Sequence, residues 1–218
     1  MLKLYAASTE PLSDERLFAS LCQTVTEQRL EKINRLRSQA EKRRSLAASC
    51  LLSRVLRMNG VDSQTSHYGE NGKPYLTDAP TVFFNLSHSG ERVMCALSDR
   101  EVGCDVEKMR DIDCSVAKRF FHPDEYKALL AADEEARQDL FFRLWTLKES
   151  ALKAAGIGMA FPLSSLRCNV LSEPFRLKAE WNGLSFFAKE IPFESGYRYA
   201  VCSLCEPNGE LEFLNLSE

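Results

Sequence analysis

Two short acidic segments contain residues whose types and spacing suit the binding of a divalent cation. In Val102–Glu107, Asp105 and Glu107 are two residues apart among apolar neighbours, so on a strand both carboxylates project from one face. Further along the chain, Glu149 and Lys153 are four residues apart, so on a helix they share a face. Three carboxylates beside a cation are what a magnesium–diphosphate site requires. The alternatives are an exposed strand face and an ordinary helical ion pair.

The composition predicts an ordinary globular protein. The chain has 218 residues, of which 44% are hydrophobic and 27% are charged, values typical of folded domains with a buried core. No stretch approaches the ~20 consecutive apolar residues that cross a membrane, and the apolar run at Leu4–Ala7 is too short for a signal peptide. We therefore expect a cytoplasmic protein without a membrane partner.

The charge distribution is uneven along the chain. The segment Thr26–Asn59 contains nine lysines and arginines and three glutamates, a net charge of +6, whereas the chain as a whole has −3. A basic helical segment is most often a solvated face, and it can also bind nucleic acid or line a phosphate pocket. Because the acidic segments predict a diphosphate site, we favour the phosphate pocket and expect no nucleic-acid partner.

Periodicity and capping signals predict an α+β fold. Ser38–Glu41 is a capping-box pattern that begins a helix ending near Asn59, and a second long helix is expected from about Gln138 to Ala155. Strands are predicted over residues 2–7, 82–86, 92–97, 102–107, 175–181, 184–190 and 197–204. Each half of the chain thus holds a long helix and several strands, without a low-complexity linker between the halves.

Taken together, four motifs resemble the signature of the 4′-phosphopantetheinyl transferases. Gly103–Lys108 and Trp145–Lys153 form the paired acidic motifs, and Phe84–Ser89 and Gly72–Pro74 precede them in the family's order and at its spacing. The chain resembles the longer, surfactin-synthetase type, from the N-terminal strand to about Tyr199. The last fifteen or so residues match no motif known to us.

This resemblance implies two similar α+β halves that face each other as a pseudo-dimer within one chain. Residues 1–101 would form the N-terminal half, with contacts to the phosphates and adenine of coenzyme A. Residues 102–218 would form the C-terminal half, with the metal and catalytic motifs. A chain that resembles a fused dimer has less need of a partner subunit, so we expect a monomer.

The resemblance also implies the reaction. Such an enzyme transfers the 4′-phosphopantetheine group from coenzyme A to a serine of an apo acyl or peptidyl carrier protein, with Mg²⁺, and releases 3′,5′-ADP. Asp105, Glu107 and Glu149 would be the metal ligands. Glu149 would also act as the base, directly or through a water molecule, and Lys153 would neutralise charge on the phosphate.

Other residues would hold coenzyme A. His88 would contact the diphosphate as a further catalytic group. The complete set of residues implied to bind coenzyme A is Lys32, Arg44, Lys73, Pro74, Ser87, His88 and Lys153. The chain departs from the family's pattern at one point, since Gln28, with Arg29 beside it, stands where relatives often have a lysine.

Two rival functions fit parts of the sequence. Another magnesium-dependent phosphotransferase or phosphohydrolase would use the same carboxylates on a different substrate. A non-catalytic module could instead bind nucleic acid through the basic helices, although that function leaves the three acids unexplained.

The carrier cannot be identified from the sequence, since fatty-acid, polyketide and peptide-synthetase carriers present a similar serine. One candidate contact is the segment Lys108–Asp113, which lacks helical or strand periodicity and is predicted to be a loop. Met109 and Ile112 in this loop either meet the carrier or pack into the core.

Overall fold

The structure, a computed structural model, describes residues 1–63, 65–113, 115–158, 161–170 and 173–217. The elements of the first half are β1 (Leu2–Ser8), α1 (Glu15–Cys22), α2 (Glu27–Asn34), α3 (Gln39–Met58), β2 (Ser66–Tyr68), β3 (Pro74–Leu76), β4 (Phe83–Ser89) and β5 (Arg92–Ser98). The following elements are β6 (Val102–Lys108), α4 (Ser115–Phe120), α5 (Pro123–Ala131), α6 (Glu134–Ala155), β7 (Cys168–Asn169), β8 (Arg176–Trp181), β9 (Leu184–Ile191), β10 (Tyr197–Ser203) and β11 (Leu211–Leu214). Among these elements, no helix combines the length and apolar character needed to span a membrane.

The two halves repeat one order of strands. In the first sheet, β5 pairs antiparallel with both β1 and β4, and in the second sheet β10 pairs antiparallel with both β6 and β9. In each half, the opening strand is followed by a long helix, α3 or α6, and later by its antiparallel partner. This repetition confirms the predicted α+β fold of two similar halves.

The layers are stacked in the order helix, sheet, sheet, helix. The facing sides of the two sheets share an apolar cluster formed by Leu4, Ala6, Met94, Ala96, Val102, Cys104, Val106, Tyr197, Tyr199 and Val201. Helix α3 packs on the other side of the first sheet, and α6 packs on the other side of the second. Strands β1 and β5 are therefore largely buried on both faces, which suits their apolar sequences.

Local signals account well for where the long helices begin and end. Ser38 forms the predicted capping box with Glu41 at the start of α3. Helix α6 starts about one turn earlier than predicted, because the Asp133 side chain accepts a hydrogen bond from the amide of Ala136. It ends at Gly156, which has a φ of 65° and forms a left-handed cap.

The C-terminal strand was not predicted. Strand β11 pairs parallel with β1, with Leu211 opposite Leu4, and it forms an edge of the first sheet. Residues 211–214, which the predicted division assigns to the second half, therefore lie on the sheet of the first half.

The second half depends on a close approach between β6 and α6. A Cβ atom at Gly103 would lie 2.2 Å from the carbonyl oxygen of Ser150 and 2.3 Å from the amide nitrogen of Ala154. Both atoms belong to the backbone of α6, which cannot move aside as a flexible side chain could. Glycine at this position therefore allows the helix to lie directly against the strand.

We expect Gly103→Ala to destabilise the protein by about 3 kcal/mol, because the added methyl group forces α6 away from β6. Denaturant unfolding measures the change. Gly209→Ala is the comparison, and it should cost much less, since the nearest atoms there are a Leu4 side-chain carbon at 3.2 Å and the Leu2 carbonyl oxygen at 3.3 Å. A Gly103→Ala protein within about 0.5 kcal/mol of the parent would contradict this account of the contact.

Candidate active site

The junction of β6 and α6 brings together Lys153 and the first predicted metal ligand. The Lys153 ammonium donates hydrogen bonds to Asp105 Oδ1 at 2.6 Å and to Ser87 Oγ at 3.0 Å. Asp105 is buried on β6, on the face that also carries Gly103, so it lies under α6. The one-turn spacing of Glu149 and Lys153 directs both side chains towards this strand.

Side chains of β4 bind the edge of β6 that does not pair with β10. Because β6 pairs only with β10, alternate backbone amides of β6 face away from the second sheet. Three side-chain oxygens of β4 accept hydrogen bonds from these amides. The pairs are Cys104 N to Asn85 Oδ1 at 2.9 Å, Val106 N to Ser87 Oγ at 3.3 Å and Lys108 N to Ser89 Oγ at 3.1 Å.

The two serines of β4 also orient the acids of β6. Ser87 Oγ donates to Asp105 Oδ1 at 2.8 Å, and Ser89 Oγ donates to Glu107 Oε2 at 2.6 Å. Each hydroxyl thus binds a backbone amide and the neighbouring carboxylate at once. The resemblance implies a coenzyme A contact for Ser87 and no role for Asn85 or Ser89. The three residues are nevertheless two apart in sequence, and this period of two indicates a shared face of a strand.

The three acids of the site carry more negative charge than Lys153 and Arg110, whose guanidinium lies 3.4 Å from Glu107 Oε2, can neutralise. Burial, followed by the nearby charge of Asp105, raises the pKa of Glu149 to about 7, with Lys153 opposing the shift and Glu107 adding to it. Burial and the charge of Asp105 also raise the pKa of Glu107, against the hydrogen bond from Ser89. Burial disfavours the charged form of Lys153, but Asp105 outweighs it, and the pKa of Lys153 is raised.

Two carboxylate oxygens are buried without a partner among the described residues, Oδ2 of Asp105 and Oε1 of Glu149. A buried anionic oxygen without a donor is costly, and its natural partner is a cation. As the side chains stand, no three His, Cys, Asp or Glu residues in the described ranges are close enough to hold a metal ion. The donor type fits magnesium, because all three side chains offer carboxylate oxygens. The assignment of Asp105, Glu107 and Glu149 as its ligands stays a prediction.

His88 lies within the electrostatic influence of cations from both halves. The guanidinium of Arg44 donates to the carbonyl of Gly90 at 3.3 Å, at the end of β4. Arg29 is held by the Ser45 and Ser49 side chains of α3. Although His88 as a residue is exposed, desolvation lowers its pKa, and the positive charges of Arg44, Lys153 and Arg29 lower it further. This arrangement suits an anion.

Lys32 is an exposed residue of α2. Its ammonium donates to the hydroxyl of Tyr68 at 3.1 Å and lies 4.8 Å from the centre of that ring. Tyr68 belongs to β2, and it lies opposite Pro74 in the β2–β3 pair. The predicted ligands Lys32 and Pro74 are therefore connected through one exposed tyrosine.

Lys73 differs from the other predicted ligands. Only 7% of its surface is exposed, and its ammonium donates to Glu101 Oε2 at 2.5 Å, Ala154 O at 2.7 Å and Val102 O at 3.1 Å. An ammonium group has three hydrogens, and these three acceptors take all of them. The contact with coenzyme A that the resemblance implies for Lys73 therefore finds no free donor on its ammonium in this arrangement.

The loop after β6 packs against the core of the second half. Residues 109–113 lie outside helices and strands, as predicted, whereas Lys108, which the predicted loop also included, is the last residue of β6. Met109 and Ile112 are half-buried and pack against the core of the second half, while Arg110 lies over the ring of Phe142 at 5.5 Å. Of the two alternatives for Met109 and Ile112, this packing favours the core.

Comparison with known proteins places the chain in a family. Residues 101–202 match the model of the 4′-phosphopantetheinyl transferase superfamily. The chain is 32% identical over 209 residues to the 4′-phosphopantetheinyl transferase Sfp of Bacillus subtilis, covering 93% of this chain and 92% of the relative. It is 31% identical over 213 residues to the 4′-phosphopantetheinyl transferase psf-1 of Bacillus pumilus, covering 93% of this chain and 90% of the relative.

Similarity extends to a more distant relative, the 4′-phosphopantetheinyl transferase HetI of a Nostoc species, at 37% identity over 67% of this chain and 65% of the relative. The chain therefore belongs to the 4′-phosphopantetheinyl transferase superfamily, and it is a transferase enzyme. The class of protein implied by the four motifs is confirmed.

The raised pKa of Glu149 predicts how stability depends on pH in the metal-free protein. A glutamate in an unfolded chain has a pKa near ~4.3. The neutral carboxyl of Glu149 therefore contributes stability that is complete below that pH and is lost as the pH rises through about 7. We expect Glu149→Gln to stabilise the protein at pH 8 by on the order of 2 kcal/mol and to have little effect at pH 4.

Urea unfolding between pH 4 and pH 8, in the presence of a chelator, measures this difference. Glu70→Gln, which changes an exposed glutamate in a turn, is the control and should leave the profile parallel to the parent's. Parallel profiles for the parent and Glu149→Gln would show that the carboxyl is not held in its neutral form.

Proposed function

We propose that this enzyme transfers 4′-phosphopantetheine from coenzyme A to a serine of an apo acyl or peptidyl carrier protein, with Mg²⁺, and releases 3′,5′-ADP. Membership in the superfamily supports the reaction class. The observation that carries the site assignment is the pair of buried, unpartnered oxygens on Asp105 and Glu149, close to the ammonium of Lys153. Such a site offers anionic ligands to a cation and a positive charge to a phosphate.

Asp105, Glu107 and Glu149 would hold the magnesium ion. When bound, the ion would supply positive charge for the diphosphate oxygens. The hydroxyls of Ser87 and Ser89 fix the directions of Asp105 and Glu107, so two of the three ligands are oriented before any substrate binds.

Glu149 would take the proton from the attacking carrier serine. In the metal-free protein, burial and the charge of Asp105 raise its pKa to about 7, and the positive charge of the ion would favour the ionised form that a base requires. Lys153 would neutralise charge on the transferred phosphate, in a position fixed by Asp105 and Ser87. His88, whose pKa is lowered, would donate a hydrogen bond to the diphosphate as a neutral imidazole.

The first half would bind the nucleotide. Lys32 and Arg44 would contact the 3′-phosphate, with the charge of Arg29 in place of the lysine that relatives carry near Gln28. Pro74 would border the adenine. Phosphoryl transfer depends mainly on positioning and electrostatics, and these residues supply both.

The remaining assignments concern the setting of the enzyme. We infer that it acts as a monomer, because the two sheets already cover each other's apolar faces within one chain. A cytoplasmic location follows from its proposed substrates, coenzyme A and a carrier protein. The carrier surface is not assigned, and a panel of fatty-acid, polyketide and peptide-synthetase carriers would identify the preferred class.

Incubation of the enzyme with coenzyme A, Mg²⁺ and each apo carrier tests the reaction. The carrier mass should increase by one phosphopantetheine, and a chelator should prevent the increase. We expect Asp105→Asn to slow transfer at least about a hundredfold, because it removes an anionic ligand from the site. Asp62→Asn, at an exposed position, is the control. Transfer by Asp105→Asn within threefold of the parent would refute the metal assignment, and an unchanged carrier mass with the parent would refute the reaction.

The two basic side chains predict a selective loss of affinity. We expect Lys32→Ala and Arg44→Ala to weaken coenzyme A binding about tenfold, and dephospho-coenzyme A binding much less, because only coenzyme A carries the 3′-phosphate. Titration calorimetry with both ligands measures the two affinities. Arg57→Ala, at an exposed position near the end of α3, is the control. Equal losses for both ligands would show that Lys32 and Arg44 belong to a solvated face.

A further inference from the structure

We propose that Lys73 is a positioning residue, which fixes the β2–β3 hairpin of the first half to the C-terminal end of α6, and that it does not bind phosphate. The inference rests on the proposed function, since it concerns how the nucleotide side and the transfer site are held together. It reverses the role that the sequence predicts for this lysine.

The hairpin caps the end of α6 from the other half of the molecule. The Lys73 ammonium donates to Ala154 O at 2.7 Å, and the Asn71 side-chain amide donates to Gly156 O at 2.9 Å. The last carbonyls of a helix lack partners within the helix and carry partial negative charge, so a cation is favourable there. The turn between β2 and β3 thus supplies donors that α6 cannot supply itself.

Glu101 extends this contact to β6. Its carboxylate binds the Lys73 ammonium at 2.5 Å and accepts a hydrogen bond from the Tyr75 hydroxyl at 3.2 Å. The same ammonium donates to the carbonyl of Val102, the first residue of β6. One partly buried ion pair therefore joins the hairpin, the start of β6 and the end of α6.

The contact between Lys73 and α6 lies between residues proposed to bind the nucleotide and residues proposed to act in the transfer. Ala154, which accepts from Lys73, directly follows Lys153, whose ammonium binds Asp105. On the other side, β3 carries Pro74, and its partner strand carries Tyr68, which binds Lys32. Displacement of the hairpin from α6 would therefore shift the nucleotide contacts relative to Lys153. Displacements of about 1 Å from a productive geometry can cost up to a hundredfold in rate.

Comparison of Lys73→Met with Glu101→Gln distinguishes a positioning residue from a phosphate ligand. If Lys73 positions α6, Lys73→Met should lower kcat about tenfold, and Glu101→Gln should lower it less, because the ammonium keeps its hydrogen bonds to Ala154 O and Val102 O. The double variant should lose no more than about twofold beyond Lys73→Met, because the partner of Glu101 is already absent. The ratio of the affinities for coenzyme A and dephospho-coenzyme A should equal that of the parent. Lys178→Met, at an exposed lysine of β8, is the matched control.

A phosphate ligand would behave differently. Lys73→Met would then weaken coenzyme A binding, whereas Glu101→Gln, which releases the ammonium, would preserve or strengthen it. Either that divergence or independent, multiplicative losses in the double variant would overturn the proposal. If the parent protein transfers nothing, the proposed function fails. That result is distinct from a failure of the positioning role proposed for Lys73.

A milder variant covers the case in which Lys73→Met does not fold. Asn71→Ala removes only the hydrogen bond to Gly156 from an exposed side chain. We expect it to lower kcat about threefold with an unchanged KM for coenzyme A and an unchanged unfolding midpoint. An unchanged kcat in this variant would also overturn the proposal, because a cap without influence on α6 cannot position Lys153.

Discussion

Direct contact between the backbone of α6 and Gly103 is the constraint on which the site depends. A side chain at that position would occupy the space of Ser150 O and Ala154 N, so the helix could not remain at its present distance from β6. Only at that distance does Lys153 reach Asp105. The absence of a side chain at Gly103 therefore permits the charge cluster to form.

The charges are then held by groups that serve the fold at the same time. Ser87 and Ser89 satisfy amides of an edge strand and orient two acids. Lys73 caps a helix of one half from a hairpin of the other. Because each of these residues has both tasks, the geometry of the site and the joining of the two halves cannot vary independently.

Periodicity was sufficient for the fold class, the long helices and the acids. Asp105 and Glu107 follow a period of two, and Glu149 and Lys153 follow a period of one helical turn, so their faces could be predicted from neighbours in sequence. The contacts of Lys73 could not be predicted from neighbours in sequence, since two of its acceptors are the backbone carbonyls of Val102 and Ala154. A carbonyl is the same in every residue, so no residue type marks it as an acceptor. The motifs identified the family, whereas the long-range contacts required the structure.

The parallel pairing of β11 with β1 has a consequence for synthesis on the ribosome. Strand β1 is made well before β11, and among the described residues it is β11 that covers one of its two edges. Until those residues emerge, the first half exposes an unpaired strand edge, which can pair with other chains. The second half is in effect inserted between two parts of the first. The first sheet is therefore completed only after the strands of the second sheet have been made.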